Sequence, residues 1–141
     1  MRILALDLGK RRIGLAVSDE LGITAQGLPT LHRVNKRTDL AALARVIEER
    51  SAGMILIGNP VHMSGNEGRQ TDWVKEFAGW LTEHTGLDVK LWDERLSSRE
   101  AERVLRLSGI SIEKRAKAID QLSAVLILQS YLDSLSADGA H

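Results

Sequence analysis

The sequence predicts a single α/β domain built on a mixed five-stranded sheet, three antiparallel strands followed by parallel ones, with helices on both faces. The length of 141 residues suits one such domain and leaves no room for two ordinary ones. Three strand-like segments come first, joined by short turns, and segments of strand and helix period then alternate. Right-handed crossovers place the later strands parallel to the first and distribute the helices over both sides of the sheet.

The elements follow in order. Arg2 to Leu8 reads as a buried strand ending at Asp7-Leu8-Gly9, and Arg12 to Ser18 as a second. Asp19-Glu20-Leu21-Gly22 turns into a third, Ile23 to His32, which completes an antiparallel meander. Thr38 is the expected N-cap of a helix whose stripe is Leu40, Leu43, Ala44 and Ile47, the i, i+3, i+4, i+7 pattern of an amphipathic helix. Met54 to Gly58 is a short apolar run stopped by Asn59-Pro60, as expected of a central strand covered on both faces. Val61 to Arg69 reads as a polar loop. Trp73, Phe77, Trp80 and Leu81 mark a helix to about His84, and Leu87 to Trp92 a strand ending at Asp93-Glu94-Arg95. Ser97 and Glu100 form a capping box for a further helix. Ser108 to Lys117 reads as a basic break, and a last, largely apolar helix spans about Ala118 to Leu135. The domain is expected to cover 1–135, with 136–141 as a frayed tail.

Composition narrows the function classes. The hydrophobic fraction of 43% and charged fraction of 27% are those of a globular chain, with two Pro and twelve Gly. The absence of cysteine excludes disulfides, thiol nucleophiles and thiolate metal sites, and fits a reducing compartment. The N-terminus is too short in apolar residues for a signal peptide and no run is long enough to cross a bilayer, so a cytoplasmic protein is expected. Nineteen basic and nineteen acidic side chains cancel. The basic residues nevertheless cluster: Lys10-Arg11-Arg12, Arg33 with Lys36-Arg37, Arg95/Arg99/Arg103/Arg106 and Lys114-Arg115-Lys117. Taken singly, each cluster reads as a solvated face. The four histidines show no ligand spacing, and the aromatic residues at helical spacing read as core.

Ligand chemistry in such a sheet belongs at the carboxyl ends of the strands. Asp7 ends the first strand beside a Gly-containing turn; alone, it reads as a turn-forming residue. Asp93 and Glu94 end the fifth strand, and alternation sends them to opposite faces, but periodicity leaves open which points inward. Asp120 stands in the first turn expected of the last helix, on a face that continues through Ser123, Ala124, Ile127 and Tyr131. A helix-dipole role accounts for an acid there, yet a charge near the core calls for a partner such as a cation. Three carboxylates at one sheet edge form an oxygen-only set, which selects Mg²⁺ or Mn²⁺. Two such ions can activate water and stabilise a leaving oxygen in phosphodiester hydrolysis. A basic cluster follows or precedes each acid in sequence, where it can grip flanking phosphates.

These residues resemble a known family. Asp7 to Ala16 (DLGKRRIGLA), Gly58-Asn59-Pro60 with Gly65 and Gly68, Asp93 to Ser98 (DERLSS), and Asp120 to Leu132 are similar to the four ordered motifs of the YqgF (RuvX) family, over residues 1 to about 134. The resemblance implies a ribonuclease H-like fold. The family is described as a Holliday-junction resolvase by similarity to the RuvC resolvases, and as a nuclease maturing the 5′ end of precursor 16S ribosomal RNA. Carried over by position, the resemblance assigns the catalytic, metal-binding acids to Asp7, Glu94 and Asp120, and so favours Glu94 over Asp93. Asn59 departs from the apolar residue frequent before the Pro in that family.

The expected function is therefore a Mg²⁺- or Mn²⁺-dependent nuclease processing precursor 16S ribosomal RNA, with Lys10, Arg11 and Arg95 as phosphate contacts. The alternatives are a DNA junction resolvase and a catalytically weak RNA-binding ribosome-assembly factor. Nucleic acid is the expected partner, with RNA favoured, and the chain is expected to act as a monomer or homodimer away from membranes. The Asp-x-Gly hairpin also resembles the phosphate-binding hairpin of the actin and sugar-kinase superfamily, but that architecture needs a second domain.

Overall fold

The computed structural model describes residues 1–59, 69–93 and 112–138, with the backbone alone for 69–71, 112–121 and 136–138. The meander comprises β1 (Arg2–Leu8), β2 (Arg12–Ser18) and β3 (Ala25–His32). Helix α1 (Lys36–Arg50), strand β4 (Ala52–Asn59), helix α2 (Arg69–Thr85), strand β5 (Val89–Asp93) and helix α3 (Ile112–Asp138) follow. The sheet has five strands in the order β3-β2-β1-β4-β5. β1 runs antiparallel to β2 and parallel to β4, and β4 parallel to β5. This is the expected mixed sheet. The loop expected over 61–68 and the helix introduced by Ser97 and Glu100 lie outside the described residues.

Strand alternation sorts the side chains between two cores. Leu4, Leu6 and Leu8 of β1, Ile13, Leu15 and Val17 of β2, and Ile55 and Ile57 of β4 pack with the buried stripes of α1 and α2. Ile3, Ala5, Ala16 and Leu56 face the other way, against Ala124, Ile127, Leu128, Tyr131 and Leu132 of α3. Helices therefore cover both faces. Ala5 and Ala16 are small, which lets α3 lie close to the sheet. Among the described residues no helix is long and apolar enough to cross a membrane.

Several boundaries differ from the sequence expectation for identifiable reasons. β3 starts at Ala25 because the amides of Ile23 and Thr24 donate to Asp19 Oδ1, at 2.7 and 3.1 Å, and fold the preceding residues into a turn. The N-cap of α1 is Asn35, whose side chain accepts from the Thr38 amide at 2.8 Å; Thr38 is the capped residue, not the cap. The segment from Ile112, expected as a break, is helical. Glu113, Lys114, Arg115, Ala116 and Lys117 carry no apolar stripe, but all are strong helix formers. Asp120 consequently lies two turns inside α3 and not in its first turn.

Candidate catalytic edge

β1, β4 and β5 run parallel, so their carboxyl ends share one edge of the sheet. In the ladder Leu6 pairs with Ile57 and Ile57 with Leu91; one residue on, Gly58 pairs with Trp92, and then Asn59 with Asp93. Asp7 follows Leu6 and is half-buried. Its parity is that of Ile3 and Ala5, so it belongs to the α3 face. Across the antiparallel ladder its partner is Gly14. Gly58 occupies the same level on the parallel side. Both glycines are buried, so the side chains that surround Asp7 on this face come from outside its two neighbouring strand positions.

At the end of β5 the structure fixes the face of Asp93, the one of the two acids among the described residues. Val89 and Leu91 pack with the α1/α2 core and Trp92 with the α3 core. Asp93 shares the parity of Leu91 and therefore stands on the opposite face from Asp7. Glu94 and Arg95 lie outside the described residues, as does the side chain of Asp120. Among the described residues no group of three His, Asp or Glu side chains is gathered to hold a metal. The Asp7 carboxylate is a hard-oxygen group, of the kind that fits Mg²⁺ or Mn²⁺.

The turn after Asp7 is tightly built. The Gly9 amide donates to Arg12 O at 2.9 Å, and a Cβ on Gly9 would stand 2.7 Å from that same carbonyl oxygen. Only glycine fits such an approach. The turn presents Lys10 and Arg11 as exposed cations.

Arg33 braces this turn, a role the sequence did not reveal. Its Nη1 donates to Gly9 O at 2.9 Å and to Lys10 O at 3.3 Å, and its backbone amide donates to Arg11 O at 2.8 Å. Nε lies 3.6 Å from Asp39 Oδ2, and the guanidinium sits 4.4 Å from the centre of the Trp73 ring. One side chain thus ties the turn to the first turn of α1 and to α2. Asp39, only 2% exposed, also accepts from the Val34 amide through Oδ1 at 2.9 Å. Sequence reasoning placed the core stripe of α1 at Leu40 and missed the buried acid beside it. The signal was there in principle: an Asp in a first helical turn, six residues after an Arg that closes a strand.

Known proteins resemble the chain throughout its length. The sequence profile of the RuvX family, described as a Holliday junction resolvase, matches residues 1–134. A Koribacter versatilis protein named "Putative pre-16S rRNA nuclease" is 58% identical over 137 residues, covering 97% of this chain and 90% of that protein. A Clostridioides difficile protein of the same name is 47% identical over 132 residues, covering 94% of each. Among solved structures, Thermus thermophilus RuvC in complex with a Holliday junction substrate superposes with a TM-score of 0.59 at 13% identity, over 96% of both chains. The fowlpox virus resolvase bound to junction DNA gives 0.57 at 14% identity, over 96% of this chain and 99% of that one. These likenesses establish the ribonuclease H-like fold.

Proposed function

The chain belongs to the RuvX family, and from that premise we propose that it is a metal-dependent nuclease hydrolysing phosphodiester bonds in 5′-end processing of precursor 16S ribosomal RNA. The observation that carries this reading is the position of Asp7. It is a half-buried carboxylate at the carboxyl end of the central strand, on the face that α3 covers.

The geometry supports Asp120 as its companion. Gln129 Oε1 accepts from the Ala25 amide at 3.1 Å, and Ala25 pairs with Ser18, whose hydroxyl accepts from the Ile3 amide. Gln129 therefore sits at the sheet edge where β1 begins. Helix α3, which carries Asp120, packs on the face of the sheet to which Asp7 belongs. Asp120 also precedes Ser123 and Ala124, both buried, by three and four positions. For the third acid, the parity of Asp93 supports Glu94.

Asp7, Glu94 and Asp120 would hold the cation. One or two divalent ions bound there would supply an activated water and charge stabilisation for the leaving oxygen. The protein's own part is to fix the carboxylates on rigid elements and to hold the substrate. Lys10 and Arg11 follow Asp7 on a braced turn and are suited to the phosphates flanking the cut; Arg95 follows Glu94 in the same relation.

The names of the two relatives support RNA as the substrate, and the family's description keeps junction DNA as the second reading. A labelled ribosomal RNA leader and a synthetic four-way junction, incubated in parallel with Mg²⁺, Mn²⁺ or chelator, distinguish them. Expected is cleavage of the RNA, lost in chelator and in Asp7→Asn. Symmetric cutting of the junction alone would favour the resolvase and a dimer. No cleavage of either substrate in any metal would leave the RNA-binding assembly factor.

A further inference from the structure

We propose that the nucleic-acid surface extends from the catalytic edge across the end of β3 to a groove between α1 and α2, where Lys36 and Arg37 hold phosphates of the RNA strand beyond the cleavage site. This rests on the nuclease reading for the identity of the strand, and its evidence is independent of the carboxylates.

The basic clusters that are separate in sequence are joined in space. Arg12 pairs with His32 across the β2–β3 ladder. Arg33, the next residue, bonds to the carbonyls of Gly9, Lys10 and Arg11. Three residues further on, Lys36 and Arg37 open α1. Lys36 Nζ lies 3.9 Å from the centre of the Trp80 ring, so the strip continues onto α2. There Asn35, Lys36, Arg37, Leu40 and His84 line a cavity of about 610 Å³.

Among the described residues, four cations of this strip stand without an ion pair. Lys10, Arg11, Lys36 and Arg37 are exposed, and no ion pair engages any of them among the described residues. Asp39 is buried beneath Arg33 and takes up its charge. Glu83 lines the neighbouring part of the groove beside Lys36 and His84. A row of unpaired cations repels itself, and a polyanion laid along it relieves that repulsion while releasing counterions. The row is also pre-ordered. Arg33 and Lys36 are seated on the faces of Trp73 and Trp80, which reduces the side-chain freedom lost on binding. Because both ring faces already carry a cation, the strip is suited to backbone phosphate and not to stacked bases.

The test is binding of single-stranded RNA of increasing length to the full chain carrying Asp7→Asn, which removes cleavage from the measurement. The same series is run with Lys36→Glu/Arg37→Glu and with Arg37→Gln alone. The Arg37 side chain makes no hydrogen bond or ion pair among the described residues, so its loss does not threaten the fold. Expected is a rise in affinity with length that the double variant flattens, a loss on the order of tenfold for the longest RNA, and a salt slope smaller by about 1.4 for two lost single-strand contacts. Arg37→Gln should show about half of that slope change. DNA of equal length showing the same losses supports a phosphate site. Unchanged affinity and slope for long RNA in both variants would overturn the proposal, as would losses confined to DNA. Cleavage by the chain with Asp7 intact, scored separately, reports on the nuclease reading whatever the binding result.

Discussion

Arg33 Nε and Asp39 Oδ2 lie 3.6 Å apart, and they join the turn that follows the candidate catalytic aspartate to the first turn of α1. The aspartate is 2% exposed while the arginine side chain keeps 22% of its surface. The pair is therefore only partly desolvated. Removing the acid leaves a half-buried guanidinium and an unmet Val34 amide. Asp39→Ala should cost about 2–3 kcal/mol, below the usual range for breaking a fully buried pair. Asp39→Asn should cost less, since its oxygen can still accept from Val34. Urea unfolding of both variants measures the difference, and equal losses would count against a charge role for Asp39.

The Gly9 turn makes a separate prediction about activity. A methyl group at Gly9 meets Arg12 O at 2.7 Å, so Gly9→Ala must displace the turn carrying Lys10 and Arg11. Misplacement on the ångström scale reduces turnover by on the order of a hundredfold. The sheet core, built from Leu4, Leu6 and Ile13, should survive. Single-turnover cleavage alongside a thermal melt distinguishes local displacement from unfolding; an unchanged rate would show that the turn is not part of the machinery.

Much of this architecture was legible because its signals are local. Alternation in Arg2–Leu8 and Arg12–Ser18 and the apolar run ending at Gly58 are period-two or continuous patterns that sheet burial enforces. The place of Asp7 at the end of β1 was legible from the apolar run before it, whereas a role for it came only from the family resemblance. Arg33 and Asp39 were not legible, since their roles depend on carbonyls 22 to 24 residues upstream and on a partner in another element. The start of α3 was missed for the opposite reason. Its first turns rely on helix propensity without an apolar stripe, so the period was silent there. Between Asp93 and Glu94, alternation gave two faces but no means of knowing which one α3 would cover; packing of Trp92 and Leu91 places Asp93 on the other face, while Glu94 lies outside the described residues.

The turn before β3 should titrate. Hydrogen bonds from the Ile23 and Thr24 amides hold the Asp19 carboxyl below its ordinary pKa of 3.8. A depressed pKa in the folded state means the charged form is favoured by folding. Its contribution is full above the ordinary value and is lost as pH falls through the lower folded-state value. The stability difference between the protein and Asp19→Ala should therefore be largest near neutrality and shrink once the pH drops below 3.8. Paired unfolding curves at pH 7 and in acid measure it. A difference that grows on acidification would reverse the assignment.

Gln129 offers the most direct test of how α3 is registered on the sheet. Its Oε1 accepts from the Ala25 amide at 3.1 Å, while Nε2 donates to Ile23 O at 2.9 Å and to Asp133 Oδ1 at 3.0 Å. One amide thus satisfies both a donor and an acceptor at the start of the outer strand. Gln129→Leu keeps the bulk but leaves those backbone groups without their partner, at a cost of about 1–3 kcal/mol. Hydrogen exchange at the Ala25 amide should accelerate selectively. Because the same helix carries Asp120 two and a half turns upstream, loss of the anchor should lower cleavage more than the fall in stability accounts for at a temperature where the variant is fully folded. If Ala25 stays protected and cleavage is unchanged, the register of α3 is set by its apolar stripe alone, through Ala124, Ile127 and Leu128.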